Sequence, residues 1–142
     1  MNELEQRQQQ VIDDFSVFTD WMDKYEYLIE LGKELPAFDE TNRTDDSLIK
    51  GCQSQVWLAA TFDGKQVHFT ADSDAIITKG IVSLLIRVLS GLEPNVIVNA
   101  DLHFIDAIGL KENLSPTRSN GLISMIKQMR MYALAFQSQI EK

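Results

Sequence analysis

Between Ile76 and Leu89 the chain places apolar side chains at Ile76, Ile77, Ile81, Leu84, Leu85, Val88 and Leu89. This spacing predicts a helix that runs to Ser90-Gly91, where glycine supplies the left-handed C-terminal residue, with Ser73 or Asp74 as its N-cap. A helix apolar over so much of its circumference must be buried on most sides, so the rest of the chain has to form a shell around it. It is not a membrane span: the longest apolar run, Ile81 to Leu89, is broken by Ser83 and Arg87 and is far shorter than the ~20 residues a span requires.

The segments on either side supply that shell. Leu4, Val11, Ile12, Phe15 and Phe18 recur at helical spacing over Glu3 to about Phe18. A second helix is expected from Thr19 as N-cap, with Asp20 favoured by the helix dipole, Trp21, Tyr25, Leu28 and Ile29 on one stripe, and Gly32 or Leu35-Pro36 at its end. Pro36 to Asp46 is polar and reads as an exposed connection. After the central helix, short helical turns are expected around Val96–Val98 and Phe104–Ile108. Ser115-Pro116 is a helix-start signature, although Gly121 defers regular helix until after Asn120. Leu122, Met125, Ile126, Met129, Ala133, Phe136 and Ile140 then form one face of a closing helix, and Met131 falls on its surface.

Strands lie between the second helix and the central one. Ser47 to Lys50 leads into Gly51, Ser54 to Phe62 alternates polar and apolar, and Asp63-Gly64 signals a hairpin returning through Lys65 to Ala71. The expected fold is therefore α+β, a small three-stranded antiparallel sheet packed with helices, in a single domain over residues 1–142. Cys52, the only cysteine, lies at the turn between the first two strands.

Thirteen Lys and Arg against 21 Asp and Glu give a net charge of −8, which disfavours nucleic acid and anionic membrane surfaces as partners. One cysteine cannot make an internal disulfide, and Met1 to Gln10 lacks the basic start and apolar stretch of a signal peptide, so the expected location is cytoplasmic. No metal site is expected. Asp72, Asp74, Asp101, His68 and His103 are the available ligand types, but the histidines lack i, i+4 spacing and the aspartates read as caps and turns.

The heptapeptide Gly51-Cys52-Gln53-Ser54-Gln55-Val56-Trp57, the segment Ser73-Asp74-Ala75 with Lys79-Gly80, Leu114 to Arg118 with Asn120-Gly121-Leu122, and Tyr27 to Gly32 resemble, in order and spacing, the SufE family of sulfur-acceptor proteins. The resemblance covers essentially the whole chain, and the cysteine heptapeptide is its specific part. Gln53-Ser54 after the cysteine leans toward SufE rather than the paralogous CsdE-like branch. The departures lie in the Pro36–Asp46 loop and around His103-Phe104, and they bear on partner choice more than on chemistry. The resemblance implies a fold similar to that of the iron–sulfur scaffold IscU. It implies a protein that is not itself an enzyme but takes sulfur from a SufS-type cysteine desulfurase onto Cys52, stimulates that desulfurase, and delivers to the SufBCD scaffold for iron–sulfur cluster assembly. The PLP of that reaction belongs to the desulfurase, and no cofactor is implied for this chain. A homodimer and a CsdA-type desulfurase remain open as alternative associations.

Sulfane transfer is thiolate attack on a sulfur–sulfur bond, and a cysteine of pKa near 8.5 is only about 3 per cent thiolate at pH 7. Lys50, Arg118, backbone amides of the cysteine turn, or the desulfurase itself are the candidates that ionise Cys52. Lys50 as a solvated surface residue and Arg118 as a loop anchor are the structural alternatives. Gly51 permits a turn that tucks the sulfur toward Val56 or Trp57, Gln53 belongs to the motif, and Asp74 is a candidate partner contact. Two other classes compete: a cysteine enzyme with His68 or His103 as base, and a non-catalytic interaction domain in which Cys52 only packs.

Overall fold

The structure, a computed structural model, describes residues 2–140. Helix α1 (Glu3–Ser16) starts at Asn2, whose side chain accepts a hydrogen bond from the Glu5 amide, and buries Leu4, Gln8, Val11 and Phe15. Helix α2 (Trp21–Lys33) is capped by Asp20, one residue later than expected from Thr19. Asp20 Oδ1 accepts from the Asp23 amide at 2.9 Å, a bond that combines capping with the helix dipole.

Gly32 does not end α2 but lies inside it, buried. Its role is contact: a Cβ on Gly32 would stand 2.9 Å from the Gly80 amide nitrogen, and one on Gly80 would overlap the Leu28 carbonyl. The two glycines let α2 lie directly on α3 (Ile76–Leu89), the central helix, which also packs against α1, β2 (Val67–Ser73) and α6 (Pro116–Ile140). Nine of its fourteen residues are buried, as its all-round apolar pattern requires. Its N-cap position is Ala75 and carries no side-chain cap; Ser73 Oγ accepts from the Ala75 amide, while the Asp74 carboxylate is turned away to the cysteine loop.

The sheet is antiparallel but has two strands rather than three. Strand β1 (Val56–Phe62) pairs with β2 from Val56↔Ser73 to Phe62↔Val67. The hairpin loop spans residues 63–66, longer than the Asp63-Gly64 signal alone suggests, because Asp63 Oδ1 accepts from both the Lys65 and Gln66 amides. The expected first strand is reduced to one bridge, Leu48↔Trp57, with Ile49 N–H donating to Val56 O at 2.9 Å. A 3₁₀ turn at Asp45–Ser47 on one side and the cysteine turn on the other leave too few extended residues for a ladder. Arg43 fixes the preceding loop, ion-paired to Glu40 and Asp72 with its guanidinium 4.6 Å from the Trp57 ring centroid.

Short helices α4 (Pro94–Val98) and α5 (Phe104–Ala107) fall where turns were expected. Buried Gln8 ties them to α1, donating to Asp101 O and accepting from the Phe104 amide. Helix α6 starts with Pro116 at its first position, Ser115 Oγ accepting from the Arg118 amide, and it runs through Gly121 instead of beginning after it. Its inner face buries Leu122, Met125, Met129 and Ala133. Tyr132 donates to Leu58 O and Phe136 stacks on Phe62, which fastens the helix to β1; Ile140 is exposed. Among the described residues no helix is long and apolar enough to cross a membrane.

Candidate functional site

The cysteine loop, residues 50–54, is held at both ends. At its start the Ile49 amide donates to Val56 O. At its finish Gln55 is gripped three ways: its amide donates to Asp74 Oδ1 at 3.0 Å, and its carbonyl accepts from Ser73 Oγ at 2.8 Å and from the Asp74 amide at 3.2 Å. Between these ties Gly51 adopts φ +94°, a conformation that favours glycine, and a Cβ there would meet Ser124 Oγ of α6 at 2.5 Å. The loop therefore lies hard against α6.

Cys52 is half-buried, and its sulfur turns to α6 rather than to Val56 or Trp57. Sγ donates to Gly121 O at 3.7 Å, and a Cβ on Gly121 would come within 3.4 Å of the sulfur. Trp57 stacks under the Arg43 guanidinium, and neither Trp57 nor the fully buried Val56 of β1 lines the cleft on which the sulfur opens. Burial pushes the Cys52 thiol up from its ordinary range, and a carbonyl partner can accept only from its protonated form. The resting group is a shielded thiol.

The sulfur opens on a cleft of about 320 Å³ lined by Gln53, Ser54, Thr78, Ile81, Ser115, Thr117, Arg118, Gly121 and Met125. Its floor is Thr78 and Ile81 of α3 with Met125 of α6, all buried; its rim is polar, exposed at Gln53, Ser115, Thr117 and Arg118 and half-buried at Ser54. Gln53 and Arg118 thus share the cleft with Cys52. The Arg118 guanidinium is exposed and makes no ion pair or hydrogen bond among the described residues, so it is not a loop anchor here. Lys50 is exposed and lines a different cleft with Asp45, Asp46, Ser124 and Lys127. Asp74 is occupied by the Gln55 amide and acts on the loop's backbone rather than on the thiol.

Neither histidine lines the Cys52 cleft. His68 pairs with Asp63 at the hairpin and His103 with Glu5 on α1. Asp72, the other acid considered as a ligand, pairs with Arg43 and Lys79. Although burial opposes it, Arg43, the Ser73 amide and Lys79 hold its carboxyl below the usual range. Sequence reasoning missed Thr78 and the use of Gly121 as sulfur space; Gly121 looked like a helix breaker, and nothing local marks a threonine in an apolar helix as a cleft residue.

The family described as SufE, Fe-S metabolism associated domain, matches residues 9–133. A SufE-like protein of Rhizobium etli is 44% identical over 126 residues, covering 85% of each chain. One of Rhizobium meliloti is 43% identical over 129 residues, covering 87% of this chain and 92% of its own. One of Synechocystis is 39% identical over 127 residues, covering 89% and 80%. A hypothetical protein of Thermus thermophilus, solved in solution, superposes with a TM-score of 0.77 over 93% of this chain and 96% of its own. At 19% identity it supports the α+β fold alone.

Proposed function

Because this chain belongs to the SufE family, accessory sulfur-transfer proteins of iron–sulfur metabolism, we propose that Cys52 is its sulfur-carrying residue. It takes sulfane sulfur from a SufS-type, PLP-dependent cysteine desulfurase, stimulates that enzyme by clearing its persulfide, and hands the sulfur to a SufBCD-type scaffold in the cytoplasm. In the loading step the Cys52 thiolate attacks the outer sulfur of the desulfurase persulfide. A new S–S bond forms on Cys52, the old one breaks, and the desulfurase cysteine leaves as thiolate and takes up the proton that Cys52 gave up. Sulfane sulfur moves without net oxidation or reduction.

The observation that carries this reading is the half-buried sulfur of Cys52 at the mouth of a cleft with a buried floor and a polar, cationic rim. Burial favours the thiol over the thiolate, and Lys50 faces elsewhere. Ionisation is therefore supplied on docking, when the desulfurase draws the loop out or closes over it, with Arg118 free to meet the anion. The absence of a second cysteine in the sequence fits a carrier, since a neighbouring thiol would collapse the persulfide to a disulfide and release sulfide.

The test is intact mass after incubation with cysteine and a matching desulfurase. One sulfur atom added to the wild-type chain, none added to Cys52→Ser, and faster alanine release with wild type only are expected. Equal stimulation by Cys52→Ser would leave Cys52 a packing residue and overturn the proposal.

A further inference from the structure

Thr78 is the anomaly of the cleft. It is only 7% exposed, yet its hydroxyl has no hydrogen-bond partner among the described residues. Among the described residues the fully enclosed unpaired side-chain atoms are Trp21 Nε1 and Arg130 Nε; Thr78 Oγ1 is not enclosed, and the residue lines the Cys52 cleft. The hydroxyl is thus a free donor with access to the cleft, which valine, filling the same volume in this apolar helix, would not supply.

The chemistry of the cargo supplies the missing partner. The resting thiol donates its proton to Gly121 O. A persulfide is more acidic than a thiol, so the loaded residue is Cys52 Sγ–S⁻, with its terminal sulfur about 2 Å beyond Sγ. That sulfur has no proton to offer a carbonyl and needs donors instead. The other hydroxyl residues at the cleft, Ser54, Ser115 and Thr117, are half-buried or exposed; Thr78 lies on the buried floor beside Ile81 and Met125.

We infer that Thr78 is the hydrogen-bond donor that receives the terminal sulfur when Cys52 is loaded and withdrawn into its cleft. This rests on the reading of Cys52 as a sulfur carrier and adds the residue that makes the carrier retentive. Gly121 leaves the sulfur its space, Thr78 gives it a donor at the buried end, and Arg118 closes the exposed end.

Wild type, Thr78→Val and Thr78→Ser are loaded in two ways: with inorganic polysulfide, which needs no partner protein, and with cysteine plus desulfurase. After desalting, loss of the added sulfur to excess dithiothreitol is followed by intact mass, alongside thermal melting of the unloaded proteins. Thr78→Val is expected to lose its sulfur roughly tenfold faster, the scale of one hydrogen bond to an anion, while melting no lower than wild type because no existing bond is broken. Thr78→Ser restores retention to within about twofold. Equal retention in wild type and Thr78→Val overturns the inference, as does faster loss that serine fails to restore. Loading by polysulfide but not by the desulfurase refutes the partner reading and leaves the Thr78 comparison standing. A wild type that holds no sulfur from either source overturns both.

Discussion

Gly121→Ala separates stability from sulfur handling, because the two respond in opposite directions. Gly121 is inside α6 and is not among the glycines of positive φ, so alanine fits its backbone conformation. Replacing a helix-interior glycine by alanine gains about 1 kcal/mol through reduced unfolded-state freedom. Against this, the new methyl would sit 3.4 Å from Cys52 Sγ and 4.0 Å from Cys52 Cβ, ordinary van der Waals contact that costs little. The net is a gain of about 0.5–1 kcal/mol, or a rise in Tm of roughly 1–4 °C for a chain of this size. The same methyl fills the side of the cleft that the sulfur faces, and a persulfide carried on Cys52, as proposed, would turn outward, where thiols reach it. Calorimetric melting of the free protein and mass-monitored sulfur loss from the loaded one should therefore move apart, with Tm up and retention down severalfold. A fall in Tm of several degrees would refute the idea that the sulfur is the only tight neighbour. A raised Tm with undiminished retention would show that the space beside Gly121 is not where the cargo lies.

Gly80→Ala should instead lower stability, since its new methyl would stand 2.7 Å from the Leu28 carbonyl carbon, backbone that cannot swing aside. Prising α2 from α3 outweighs the helix-propensity gain by about 2 kcal/mol or more, and an unchanged melting temperature would contradict the close helix contact. Alkylation of the free protein by iodoacetamide should follow thiolate formation with a midpoint above the ~8.5 of unperturbed cysteine, and a midpoint at or below that value would mean the sulfur is not sheltered. A thiol whose folded pKa is raised contributes stability fully below about pH 8.5 and loses that contribution as pH climbs through the folded value. Cys52→Ser should remove this alkaline component from the pH dependence of unfolding.

Periodicity guides well where burial alone decides structure. The stripe Leu4, Val11 and Phe15 is buried where the spacing placed it, as is the α3 stripe from Ile77 onward, whereas Ile76 at its first position is 65% exposed; the β1–β2 hairpin follows its alternation and turn residues. The misreadings share one physical origin: side chains and glycines used for long-range contact resemble those used for local punctuation. Gly32 and Gly121 read as helix breakers but permit close approach, to α3 and to the thiol. Asp74 reads as a cap for α3 but is spent on the Gln55 amide, nineteen positions away in the chain. The Cys52 neighbourhood could be found from the Gly51–Trp57 motif, yet the cleft beside it could not. Its floor comes from two helices whose residues face the sulfur only once α3 and α6 have packed.

On the proposed reading of Cys52 as a sulfur carrier, that arrangement lets it be both retentive and willing to give. The wall behind the sulfur belongs to α3 and α6, the most buried helix and the one fastened to the sheet by Tyr132 and Phe136, so it is set by the global fold and does not move cheaply. The sulfur itself rides on five residues whose backbone ties lie at their ends, by Ile49 to Val56 and by Gln55 to Ser73 and Asp74. A partner therefore needs to displace only a short loop, breaking the weak Sγ contact to Gly121 O and the Gly51 packing on Ser124, to bring the sulfur out while the cleft stays formed to receive it again. Rigidity in the receptor and looseness in the arm that carries the cargo are separate properties of separate segments, so substitutions in one should alter sulfur retention and those in the other the rate of handover.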